Sequence, residues 1–233
     1  MDLNNCEIYE MINIALFPNT PQETLDELSK NENVDVKRAV AHNKNTSAKT
    51  LERLAKEKDI NVRLEVANNE NTSPKILDEL AKVGNFIMCE VIAKNRNTSI
   101  ETLKKIAKHP AKDVKIAITE NPNTPLQILN ELSNELSNDE GLYVRFEIAK
   151  NTNTPEEILD KLSKDKDITV RTAVAKNKNT SLETLEKLVK DKDKLVSRTA
   201  KKSLDYIKGN LTSMNKADLG IENEEKSLDE ISL

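Results

Sequence analysis

Apolar positions in this chain recur as two alternating phrases. In residues 43–68, NKNTSAKTLERLAKEKDINVRLEVAN, Leu51, Leu54 and Ala55 follow Thr46 at the i, i+3, i+4 spacing of one helical face. Ile60, Val62, Val66 and Ala67 then repeat the helical period. The pattern predicts two short helices, A and B, the second closed by Asn68 and Asn69, residues that tolerate a left-handed helix end. No alternating β-branched run occurs and the chain has only four glycines, so an all-α protein is expected.

The two-helix phrase is one unit of an array. Thr20, Thr46, Thr72, Thr98, Thr124, Thr154 and Thr180 mark its register, with successive spacings of 26, 26, 26, 26, 30 and 26 residues. A fixed period of this size is the signature of a solenoid. Each unit offers a handful of apolar side chains, too few to offset the entropy of ordering it alone. The core must therefore run between units, helped by small residues at the Ala55 and Ala67 positions. In the fifth unit ELSN is duplicated from Glu131 to Asn138, about one extra helical turn, so helix A there should be longer. The third replaces the Asp and Arg of helix B with the apolar stretch Phe86-Ile87-Met88-Cys89.

The Asn-x-Asn-Thr corner before helix A reads as a start signal, since Thr is a good N-cap. Pro21, Pro125 and Pro155 then fall at the first helical position. Glu23, Glu101, Gln127, Glu157 and Glu183 fall at the third, a capping box in five units of seven. Asn45, Asn71, Asn97 and Asn179 also match the N-glycosylation acceptor pattern. Capping accounts for more, because it explains the neighbouring Pro and Glu too.

The phrase NxNT[PS]xxxLxxLxxDxxVRxxVA, in residues 43–67 and 151–175, resembles the leucine-rich repeat variant family. Helix B also resembles HEAT-like repeats, whose D-x-x-V-R stands here at Asp59 to Arg63 and Asp167 to Arg171. The resemblance covers residues 17–202 and implies a right-handed α-solenoid of about seven repeats that serves as a binding scaffold. Some members carry an iron–sulfur cysteine cluster, but this chain has only Cys6 and Cys89, so no cofactor is expected.

Three regions follow: an N-terminal capping helix in residues 1–16, a solenoid with a C-terminal capping helix in 17–209, and an acidic tail in 210–233. Gly209 is expected to stop the last helix. Beyond it, six acidic residues face only Lys216 and Lys226, so the formal net charge of −4 lies wholly in the tail and the array is balanced. Such a segment reads as disordered, with Leu228, Ile231 and Leu233 as the elements of a docking motif in a sharper reading. The start MDLNNCEIYEMINIALF lacks a basic n-region and an unbroken apolar run. With no C-x-x-C, it points to a cytoplasmic, reducing location, two inert thiols and no membrane span.

A search for chemistry finds neither metal-ligand spacing around His42 and His109 nor a nucleotide or nucleophile motif, so no catalytic residue is nominated. Glu65 and Glu147 replace the usual Ala of helix B and read as solvated or paired to a neighbouring Lys. Arg63, Arg145 and Arg171, with Lys37 and Lys115, form a ladder that could follow a phosphate backbone. Pairing with Asp59, Asp167 and Asp193 at the helix B starts is the stronger reading, and without Trp the chain lacks base-stacking platforms.

The expected function is a non-enzymatic scaffold, favoured as a monomer, that binds an unidentified protein or peptide through helix B. Nucleic-acid association through the Arg/Lys ladder is the alternative, and an enzyme or regulatory subunit on a HEAT-like scaffold the third reading. The binding face is placed on the column Arg38, Leu64, Glu90, Ile116, Phe146, Thr172 and Arg198, expected to be the exposed one. Tyr143 joins it from the flanking column. Burial of Leu64, Ile116 and Phe146 between units is the competing explanation.

Overall fold

A computed structural model describes residues 7–135 and 141–218, with side chains described as far as Gly209 except Glu135. Cys6, residues 136–140 of the duplicated turn and residues 219–233, with the docking motif, lie outside the described residues. Among those described there are fifteen helices and no strand. The first is α1 (Ile8–Leu16); the helix A/helix B pairs follow. They are α2 (Gln22–Leu28) and α3 (Val34–His42), α4 (Ala48–Leu54) and α5 (Ile60–Asn68), α6 (Pro74–Val83) and α7 (Phe86–Lys94), and α8 (Ile100–Ile106) and α9 (Lys112–Glu120). After them come α10 (Leu126–Glu135) and α11 (Leu142–Lys150), α12 (Glu156–Leu162) and α13 (Ile168–Lys176), and α14 (Leu182–Leu188) and α15 (Lys194–Asp218).

The fold is an all-α solenoid, and its helices fall into two compact units, Met1–Asn151 and Thr152–Leu233. In the first, α1, α3, α5, α7, α9 and α11 pack side by side, each against the next, and α2, α4 and α6 each pack against the helices B before and after. In the second, α12 packs on α13, α13 on α14 and α15, and α14 on α15. The seam consists of the predicted columns: Leu51, Leu54, Val62, Val66 and Ala67 are fully buried. Ile60 is not among them, being 36% exposed at the first turn of α5. In the fifth unit α10 has ten residues up to Glu135, against seven in α4, and the rest of the duplicated turn lies outside the described residues. α6 is equally long.

The corners between helices overturn the capping prediction. Ser47, Ser73, Ser99 and Ser181, one residue after the Thr, are the N-caps, and each hydroxyl accepts the N–H three residues on. Pro21 and Pro155 likewise stand at the N-cap. The Thr hydroxyls point the other way. Thr46 Oγ1 donates to Val40 O at 2.5 Å and Thr98 Oγ1 to Ile92 O at 2.5 Å, six residues back. The same Thr therefore adds a second donor to a last-turn carbonyl of the helix B that ends, which already accepts the N–H of the cap Asn, while Ser starts the helix A that follows.

The two Asn of the corner bind successive units together. Asn69 Nδ2 donates to Ala41 O at 2.7 Å and Asn43 O at 2.9 Å, and its Oδ1 accepts from Asn71 N–H. Asn43, Asn95 and Asn121 repeat the arrangement. The second Asn adds a parallel row, with Asn71 Nδ2 donating to Lys44 O and Thr46 O. The Asn are ladder rungs rather than left-handed helix ends: the backbone of Asn43, Asn69 and Asn95 is extended. Glycosylation at Asn45, Asn71 or Asn97 would consume an amide that already donates to the preceding unit.

Both ends of the ladder are adapted. α1 takes the place of a helix B, since Ala15 O and Phe17 O receive Asn43 as Ala41 O and Asn43 O receive Asn69. At the other end Ser203 donates to Ala175 O at 2.7 Å from within α15, standing where the next corner Asn would fall. α15 continues through Gly209 to Asp218, so Gly209 does not stop it. The cost of one glycine in a helix interior, about 1 kcal/mol, is not enough to break a helix already anchored in the core.

Candidate functional site

Helix B buries its third, seventh and eighth residues and turns the second and ninth to solvent, as Asn61 and Asn68 show in α5. Its fifth position is the column nominated above. Arg38 is exposed, whereas Leu64, Ile116 and Phe146 are half-buried. Thr172, expected on the surface, is buried at 8% exposure, and its hydroxyl finds no partner. The column is thus graded. Tyr143 is 60% exposed in the flanking column, where Ile87 is also exposed.

Cations cover part of the aromatic surface in the first unit. Lys112 Nζ lies 5.0 Å from the centre of the Tyr143 ring, and Lys150 Nζ 5.9 Å from that of Phe146. Further along, Glu65 Oε2 meets His42 Nδ1 at 3.0 Å, pairing neighbouring helices B. Glu147 is paired within its helix to Lys150 at 3.1 Å. Beside His42 and Glu65 a groove of about 380 Å³ is lined by Ile12, Leu16, Asp35 and Arg38. A second hollow of about 400 Å³ shares Leu16, His42 and Glu65 and continues over Pro18 and Asn68. The face offers apolar contact, both signs of charge and free amide groups in one strip.

The Arg ladder faces inward. Arg145 and Arg171 are buried at 3% and 5% exposure. Arg171 forks onto Asp191, with Nε to Oδ2 at 2.7 Å and Nη2 to Oδ1 at 3.1 Å. Its Nη1 donates to Asp165 O and Lys166 O. Arg63 Nη1 donates in the same way to Glu57 O and Lys58 O. Asp59 and Asp167 instead serve as the N-caps of their helices B, and Asp193 accepts from Leu195 N–H and Val196 N–H likewise. The acid partner lies twenty residues downstream, in the next unit, as Lys37 Nζ on Glu57 at 2.8 Å confirms.

A second electrostatic column escaped the sequence reading. Asp26 receives Thr50 Oγ1 and Arg53 Nη2, Asp78 receives Thr102 Oγ1 and Lys105 Nζ, and Asp160 receives Thr184 Oγ1 and Lys187 Nζ. Hydrogen bonds from Arg53, Lys105 and Lys164 respectively are the largest influence holding these carboxyls below their ordinary pKa. The recurring signal was an Asp with Thr at +24 and a base at +27, visible only once the period is known.

Among the described residues no group of three His, Cys, Asp or Glu could hold a metal ion. Cys89 is buried, and burial pushes its thiol pKa up, away from nucleophilic character. His109 Nδ1 accepts Ala111 N–H in a corner. No helix among the described residues is long and apolar enough to cross a membrane.

With this geometry in view, comparison with solved structures places the fold. A leucine-rich repeat variant with a novel repetitive structural motif matches at a TM-score of 0.57 and 21% identity, covering 84% of this chain and 81% of that one. The chain is thus similar in fold to a leucine-rich repeat variant. An engineered protein, at 18% identity and a TM-score of 0.31, and a designed armadillo repeat protein, at 15% and 0.28, also match. No family model and no curated protein matches the chain.

Proposed function

We propose that the protein is a non-catalytic cytoplasmic scaffold that binds a protein or extended peptide along the outward face of its helix B row, within the first unit and as a monomer. The observation that carries this reading is the strip from the groove at Leu16, Arg38, His42 and Glu65 to Ile116, Tyr143 and Phe146. A purely solvated face favours Lys and Glu, and repeat arrays commonly use such a row for partners. The buried, internally bonded arginines speak against the nucleic-acid alternative, because a phosphate contact needs an exposed cation.

Selection from a displayed peptide library against the purified protein tests the reading. Recovered peptides should lose binding to a Tyr143→Ala, Arg38→Ala variant whose unfolding midpoint is unchanged. Peptides that bind this variant as tightly as the parent would place the site elsewhere. Tight, salt-sensitive binding of DNA at physiological salt would instead restore the alternative.

A further inference from the structure

The base at the fourth position of helix B has an acid partner in some units and lacks one in another. In α3, Lys37 is met by Glu57; in α13, Arg171 is met by Asp191, which takes both Nε and Nη2. The residue equivalent to Glu57 and Asp191 in the third unit is Val83, twenty residues after Arg63. Arg63 is otherwise held as Arg171 is, its Nη1 fixed by the carbonyls of Glu57 and Lys58. Its Nε is buried with no partner, and its Nη2 has none among the described residues. Arg63 itself lines a notch of about 360 Å³ together with Ala55, Lys56, Glu57, Glu79, Leu80 and Val83, and Val83 is 78% exposed.

We propose that this notch binds a carboxylate side chain of a partner protein, carried on an extended apolar segment. The Arg63 fork would take the carboxylate as the Arg171 fork takes Asp191, and Leu80 and Val83 would take the flanking apolar groups. A buried guanidinium N–H without an acceptor is costly, and a carboxylate matches the fork in two-point geometry. The chemistry is set by the other units, where the acceptor is Glu57 or Asp191 rather than a phosphate or a carbonyl. Among the described residues none of the surrounding charges pairs with the fork. The Glu57 carboxylate is engaged by Lys37, Lys56 lies 4.0 Å from Glu52, and Glu79 is exposed and makes no ion pair among the described residues. The notch lies at a junction of α4, α5 and α6, so it does not depend on the helix B face proposed above.

The test reads the arginine Nε–H resonances by nitrogen-edited NMR on the whole chain, with Arg171 as an internal standard for a filled fork. Titration with an end-capped Leu-Asp-Leu peptide should move the Arg63 resonance downfield, saturably, toward that of Arg171, which stays still. The Leu-Asn-Leu peptide should leave Arg63 unmoved. Acetate should move it more weakly, because it lacks the apolar flanks. Val83→Asp should place the Arg63 resonance at the filled position before any peptide is added and abolish the response, while Val83→Asn preserves it. The proposal is overturned if Arg63 does not move at millimolar peptide, or moves equally with the Asn peptide. It is also overturned if Arg63 is already shifted in the free protein and released by Glu79→Gln, since Glu79 would then fill the fork.

Discussion

The side-chain amide of Asn69 donates to the backbone carbonyl of Asn43, its own counterpart one unit earlier, at 2.9 Å. Each rung thereby joins the same residue in successive units, and stacking is written into polar as well as apolar contacts. Asn69 is buried and its side chain alone makes three hydrogen bonds.

Asn69→Ala should therefore destabilise the protein by about 3 kcal/mol, because buried carbonyls lose their donors. Asn71→Ala, at the exposed second rung, should cost about 1 kcal/mol. Urea unfolding of the two variants provides the comparison, and equal losses would contradict the ladder's inner rung as the stronger.

Arg171 and Asp191 form a buried pair, with side chains 6% and 10% exposed. Asp191→Ala should lower stability by about 3 kcal/mol, since it strands a buried charge. Arg171→Lys should recover little, because an ammonium cannot span the carboxylate and the two carbonyls at once. A lysine variant with the parental unfolding midpoint would count against the fork.

Four carboxyls, Asp26, Asp78, Asp160 and Asp191, are held below the ordinary value of 3.8, chiefly by hydrogen bonds from Arg53, Lys105, Lys164 and Arg171. When the folded pKa is depressed, the unfolded chain takes up protons first as pH falls. Their stabilisation is thus complete above the ordinary carboxylate range and is lost as pH drops below it through the folded values. Thermal midpoints should fall below about pH 4 from this source, and Asp191→Asn should flatten that limb. A midpoint insensitive to acid would refute the assignment.

Gly84, in the corner between α6 and α7, and Gly209, inside α15, should respond to alanine substitution with opposite signs. A Cβ on Gly84 would lie 2.8 Å from Cγ and 2.9 Å from Cβ of the buried Met88, at the junction of α6 and α7. Gly84→Ala should cost about 1–2 kcal/mol through overpacking. Gly209 has nothing within 4 Å of its Cβ position inside α15. Gly209→Ala should stabilise by up to about 1 kcal/mol through helix propensity, and calorimetry separates the two.

The period, the alternation of two short helices and the columns Leu51, Leu54, Val62 and Val66 were legible in the sequence, because helical periodicity and repeat spacing are local or self-referencing signals. So was the need to stack, since no unit holds enough apolar surface to fold alone. The direction in which Thr46 bonds was not. A threonine at a corner can cap the helix ahead or the one behind, and only the path of the chain between them settles which. The partners of Asn69, Arg171 and Asp26 lie twenty to twenty-eight residues away, across an interface between units. Those contacts depend on how far each unit is shifted and turned on the next, a rigid-body relationship that nearest-neighbour propensities do not encode. The same relationship decides that Thr172 is buried while Tyr143 is exposed, and that the guanidinium of Arg63, beside Val83, is left without an acid.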